Sequence, residues 1–295
     1  MNGKKNALKY FKMTLQYANK KIWYLIFLAA LPSVLTAFVF TPYATFDFFA
    51  GYRQLYYARF SDMYLIISGF NTNLYYLGII GIIAIPFFYS IMFGAVERHM
   101  RVGEFNLGFD RIRSRLNFNF ITAFKFALTL FAVYEIFKFF ETVVFYLLAR
   151  LFDVAWAFSL SIIWYIILYA AQLFLLSITV LWVPTMLQTG LSGAKSLGLA
   201  VKQGSKYTFG TMISIMIPTV PMLVLMLVNS VLGLNVGVVL SAILLTITEV
   251  FYTVYMYSMF FDINGIERED LKKVDIWKQG KKRFKEGKDG SKKRD

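Results

Sequence analysis

The stretch "SAILLTITEVFYTVYMYSMFF", residues 241–261, is apolar from end to end except for one charged residue, Glu249. A helix that crosses a bilayer needs about 20 such residues in succession. Five more runs have the same character, near 22–40, 74–96, 118–137, 160–184 and 210–232. The whole chain agrees with this reading: it is 58% hydrophobic with a mean hydropathy of +0.57, and only 16% of it is charged. Soluble domains carry about a quarter charged residues. The expected fold is therefore all-α, a polytopic bundle of six transmembrane helices over 22–261 with amphipathic in-plane helices in its loops. A basic segment, 1–21, precedes the bundle, and a basic tail, 262–295, follows it. The first apolar run lacks the small-residue cleavage site of a signal peptide and is expected to be retained.

The charge distribution sets an orientation. The formal net charge is +14, which by itself could suggest nucleic acid, but the basic residues gather where topology signals are expected. Lys4, Lys5, Lys9, Lys12, Lys20 and Lys21 precede the first run. Arg98, Arg101, Arg111, Arg113 and Arg115 lie between the second and third, and Lys195, Lys202 and Lys206 between the fourth and fifth. The tail carries most of the rest. Arg53, Arg59 and Arg150 alternate with these on the opposite side. The positive-inside rule then puts both termini in the cytoplasm. Beyond Trp277 the tail is lysine- and glycine-rich and is expected to be disordered.

The loops have their own periodicity. In "TPYATFDFFAGYRQLYYARFSDMYLIISGFNTN" (41–73), Phe48, Tyr52, Tyr56, Phe60 and Met63 recur at helical spacing. They predict either an amphipathic helix in the outer interface or a lid over the bundle. On the inner side, Phe105, Phe109, Ile112 and Leu116 form one stripe. Lys195, Lys202 and Lys206 form a basic face, with Ala194, Leu197 and Val201 roughly opposite. Each inner loop reads as a short helix on the membrane surface, with Arg111, Arg113, Arg115, Lys195, Lys202 and Lys206 toward anionic inner-leaflet lipids. The shared plan also suggests a weak parallel pseudo-repeat.

The segment "VPTMLQTGLSGAKSLGLAVKQGSKYTFGTMI" (183–213) resembles a pattern in the membrane region of glycerophosphodiester phosphodiesterases and in related six-helix bacterial membrane proteins. It is also similar to YesL-like membrane proteins associated with sugar uptake. Pro184, Gly190, Ser196 and Lys202 carry the likeness over 184–213. It implies a span closed by proline, then a small-residue turn, a serine and a basic in-plane helix. It further implies a bacterial inner membrane and a role beside transport machinery. The chain carries no phosphodiesterase catalytic domain, so that activity does not follow.

Chemistry is mostly excluded. There is no cysteine and one histidine, His99, so disulfides, thiolate sites and histidine-rich metal centres are ruled out. "GLSG" (190–193) matches the G-x-S-G of rhomboid proteases, but that serine needs a histidine on a later helix. His99 comes earlier, and Ser192 reads instead as a helix cap. No phosphate-cradling loop or H-E-x-x-H motif occurs. The expectation is a non-enzymatic protein with no cofactor, partnered by lipid and by another membrane protein or a second copy.

Charges at membrane depth remain, and these mark function by default. At 1.5 Å per residue, Glu135 lies roughly 27 Å from the inner edge, with Lys138 and Glu141 beyond it. They are expected to form ion pairs at the outer interface or a site at a cavity mouth. Glu249 lies roughly 18 Å deep, Lys125 roughly 12 Å and Gln172 roughly 21 Å. These three are expected to cluster inside the bundle, either as a clamp on helix register or as a proton- or ligand-binding site.

Overall fold

The computed structural model describes residues 2–37, 44–68, 75–103, 108–233 and 236–271. Among them the chain is almost entirely helical, with no strand. Helix α1 spans Asn2–Ala37 and bends at Lys21, whose φ of −126° and ψ of 17° leave the helical region. Three short helices follow: α2 (Ala44–Ala50), α3 (Tyr52–Leu55) and α4 (Phe60–Ser68). Helices α5 (Tyr75–Val102), α6 (Phe109–Leu151) and α7 (Val154–Ile178) are long. The short α8 (Trp182–Thr189) and α9 (Gly193–Gly204) lead through a 3-10 turn at Ser205–Tyr207 into α10 (Thr208–Leu232) and α11 (Gly237–Ile263).

The C-terminal half of α11 is the centre of the molecule. Every residue from 250 to 261 is buried, and a helix enclosed on all faces must be surrounded by others. Its principal neighbour is α1, followed by α10, and α5 and α8 also pack against it. Tyr10 stands edge-on to both Tyr207 and Tyr255, each with ring centroids 6.2 Å apart. Helix α5 reaches the backbone of α1 at Gly81, where a Cβ would fall 3.1 Å from the Leu35 carbonyl carbon. Only a small residue permits that approach. The basic segment before residue 21 is therefore no free tail, since Tyr10, Thr14 and Tyr17 are core residues. The start of the expected tail is packed too: Arg268 is buried and bonds Asp270 (2.9 Å) and Ser258 (3.4 Å).

The Lys9 ammonium and the Tyr10 hydroxyl both donate to Asp262, at 2.6 and 2.7 Å, tying α1 to the end of α11. The Lys9 side chain is 49% exposed and that of Asp262 32%, so Lys9→Ala should cost at most about 1 kcal/mol. Thermal unfolding at low and high salt checks this; a loss that salt leaves unchanged would mean packing, not charge, carries the contact.

Five stretches among the described residues are long and apolar enough to cross a membrane: Lys9–Ala37, Ile112–Leu151, Val154–Thr189, Gly193–Leu232 and Gly237–Ile263. The sixth expected run, 74–96, falls on α5, a helix of 28 residues that is not among those five. Large apolar side chains on α6, α7 and α10 face outward, Ile121, Ile166 and Val231 among them. This is the surface that a bilayer accommodates and water does not.

The two basic loops do not share a plan. Ile112 and Leu116 belong to the first turns of α6, a single helix of 43 residues, so among the described residues no separate helix stands between α5 and the third run. No glycine or proline interrupts 109–151, and without one the helix has no reason to stop. The second loop does break, at Gly190 with a positive φ of 64°, and α9 stands as a separate short helix. Its buried stripe is Ser196, Ala200 and Gly204, one position off the expected Ala194, Leu197 and Val201. At Gly204 a Cβ would lie 3.0 Å from the Ile178 carbonyl oxygen, which is how closely α9 packs on α7. Pro184 lies past the end of α7 at Ile178, in the first turn of α8, where its missing N–H costs little, and within the apolar stretch that ends at Thr189. Phe105 and the tail from 272 onward lie outside the described residues.

Candidate functional site

The segment expected on the outer side, 44–68, folds onto the bundle. Phe48, Tyr52, Tyr56 and Met63 are buried as their spacing predicts, against Phe145 and Ala149 of α6 and Ala157 of α7. Phe48 and Phe145 stack with centroids 5.4 Å apart, and Phe60 stands edge-on to Phe139 and Tyr146. The segment is three helices and not one, because Gly51 and the turn at 56–59 interrupt it. Asp47 accepts from Ser230 Oγ at 2.6 Å, fastening α2 to α10.

Beneath this cover lies a charged cluster. The Lys138 ammonium donates to Glu141 Oε2 at 3.0 Å and to Thr45 Oγ1 at 2.6 Å. Lys138 is 4% exposed and Glu141 2%, so the pair is enclosed by protein and does not meet solvent at a rim. The Tyr134 ring lies 5.6 Å from the ammonium, adding a cation–π contact. Glu135 takes a different partner, accepting from the Tyr64 hydroxyl of α4 at 3.0 Å. Spacing on α6 foretold the Lys138–Glu141 pair. Thr45 and Tyr64 had no such signal, since they arrive from distant loop helices.

Glu249 occupies the middle of α11, and its carboxyl is within hydrogen-bonding reach of the Tyr89 phenol of α5 and the Ser33 hydroxyl of α1. Its Oε2 is enclosed and without a hydrogen-bond partner. The expected companions are elsewhere. Lys125 is exposed on α6 and Gln172 half-buried on α7, and neither bonds Glu249. The depth argument matched their heights but carried no information on which way each helix face turns. Ser33 and Tyr89 were legible only as ordinary span residues.

Of the residues expected at inner-leaflet lipids, Arg113, Lys195, Lys202 and Lys206 are exposed, whereas Arg115 is buried. The Arg111 side chain lies outside the described residues. Ser192 occupies the N-cap of α9 but makes no side-chain capping bond. His99 Nδ1 lies 3.0 Å from the Tyr17 hydroxyl, and no group of metal-ligating side chains gathers among the described residues.

Comparison with protein-family models, with curated proteins and with solved structures finds no match for this chain. What fold and sites define is a class: a multi-pass helical membrane protein with charged and polar groups enclosed inside its bundle.

Proposed function

We propose that the chain is a six-span protein of a bacterial inner membrane, with both termini cytoplasmic, serving without catalysis as a scaffold or accessory subunit of transport or envelope machinery. Helix α5 supplies the sixth crossing: its 28 residues span about 42 Å at 1.5 Å per residue, more than a hydrocarbon core of about 30 Å. The observation that carries the scaffold reading is the Lys138 cluster. Its ammonium is held by Glu141 and Thr45 of the same chain, an arrangement that ties α6 to α2 as a structural clamp would. The exposed lysines of α9 suit anionic inner-leaflet headgroups. The partner is a membrane protein or a second copy, meeting the apolar faces of the bundle.

One observation favours a second reading, a small proton-coupled carrier. The partnerless Oε2 of Glu249 gives a mid-membrane carboxyl room to gain and lose a proton. Two measurements separate the readings. The scaffold reading expects the protein, extracted in native nanodiscs, to run as a stoichiometric complex, by mass, with a partner or a second copy. It also expects liposomes bearing the protein and an internal pH dye to hold an imposed proton gradient as well as empty ones. A proton flux that Glu249→Gln abolishes would overturn it in favour of the carrier.

A further inference from the structure

Between α5, α6 and α8 is a cavity of about 290 Å³ lined by three arginines, Arg98, Arg101 and Arg115, with Glu97 the one carboxylate. Glu97 is already engaged: its Oε1 accepts from Arg101 Nε at 2.7 Å and from Gln188 Nε2 at 2.9 Å. Arg98 Nε is enclosed and has no hydrogen-bond partner. Gly94 shapes the floor. A Cβ there would fall 2.6 Å from Asn119 Nδ2 and 2.9 Å from Arg115 Cγ, so bare backbone lets the two side chains close over α5.

A buried guanidinium N–H left unbonded is costly, and this cavity concentrates positive charge around one. The chemistry that relieves it is a compact, oxygen-rich anion, because the planar fork of arginine matches phosphate oxygens in pairs. The rim adds a second feature. Phe118, 81% exposed, and Leu187 border the cavity, giving an apolar ledge beside a basic pocket. An amphiphile with a phosphate head and an acyl tail meets both.

We propose that this cleft is a binding site for a phosphate-bearing anion, held by Arg98, Arg101 and Arg115. The site rests on its own geometry and stands whether the chain is a scaffold or a carrier. The anion has two sources, a phospholipid headgroup or free phosphate, and they are separable.

The full chain in an uncharged detergent is unfolded thermally while titrated with dihexanoyl phosphatidic acid, with inorganic phosphate, or with dihexanoyl phosphatidylcholine as control. The expected result is a saturable rise in Tm with phosphatidic acid and none with phosphatidylcholine. Arg98→Gln and Arg101→Gln should each weaken the apparent affinity roughly ten-fold or more, the worth of one hydrogen bond to a charged group. Arg53→Gln/Arg59→Gln, which removes two exposed arginines remote from the cleft, should leave it unchanged. An equal, saturable effect of inorganic phosphate, lost in the same arginine variants, identifies the free anion as the ligand; no effect of phosphate identifies the lipid. If Arg98→Gln does not fold, Arg101→Gln decides alone, since its side chain is 57% exposed. The proposal is overturned if neither anion gives a saturable shift, if the Arg98 and Arg101 variants respond like the wild type, or if the Arg53→Gln/Arg59→Gln variant abolishes the effect.

Discussion

Lys138→Met is expected to destabilise the protein by about 3–5 kcal/mol, because it leaves Glu141 as a buried carboxylate without a counter-charge. Glu141→Met should cost a similar amount by stranding the ammonium, which would keep only Thr45 as a bonding partner. The double variant Lys138→Met/Glu141→Met should recover most of the loss, since an apolar pair of similar volume is often neutral in such a place. The burial of both groups makes the effect large; an exposed pair at the same spacing would contribute only a few tenths of a kcal/mol. Unfolding of the three variants in one detergent gives the coupling directly. Single variants that each cost under about 1 kcal/mol, with no recovery in the double, would mean water reaches the pair and the site is open.

Phe145→Ala should cost about 3–5 kcal/mol, the range for deleting a fully enclosed aromatic ring. Phe145 touches Phe48 and Phe49 of α2, with centroids 5.4 Å away in both cases. Its loss removes the surface on which the outer segment is seated. The damage should therefore be local first. Arg53 and Arg59 are exposed on that segment, and trypsin should cut there faster in Phe145→Ala than in the wild type while the bundle stays intact. Cleavage at the wild-type rate, with global stability reduced, would instead make Phe145 a general core residue with no special hold on the outer cover.

Both predictions turn on the outer segment, where the reading from sequence succeeded in part. The stripe of Phe48, Tyr52, Tyr56 and Met63 is buried as its period required. Period alone, however, does not say whether an apolar face meets lipid or protein, because both are equally apolar partners. The inner loops show a converse limit. Their periodicity is helical in both cases, yet one continues straight into α6 and the other stands apart as α9. The difference is legible in glycine and proline placement: none between 109 and 151, several between 190 and 210.

The charged groups mark the same boundary. Lys138 and Glu141 are three residues apart on one helix, so their pairing needed only local geometry. Grouping Glu249 with Lys125 and Gln172 required knowing how separate helices rotate about their axes. A helix in a bilayer takes its rotation from its neighbours and not from its own sequence. Depth, which the rise per residue supplies, is one coordinate of three.

By itself the amino-acid sequence determined that this is a multi-pass helical membrane protein, which apolar runs form its long helices, and which loop face is apolar. Those properties follow from hydropathy and local periodicity, and both act over a few turns of chain. Only the tertiary structure decided that α11 is the central helix and that Ser33 and Tyr89 attend Glu249. It also decided that Thr45 completes the Lys138 pair and that three arginines close around one cleft. All but the last join residues far apart in the chain, and all depend on close packing between helices, which is written in no single segment.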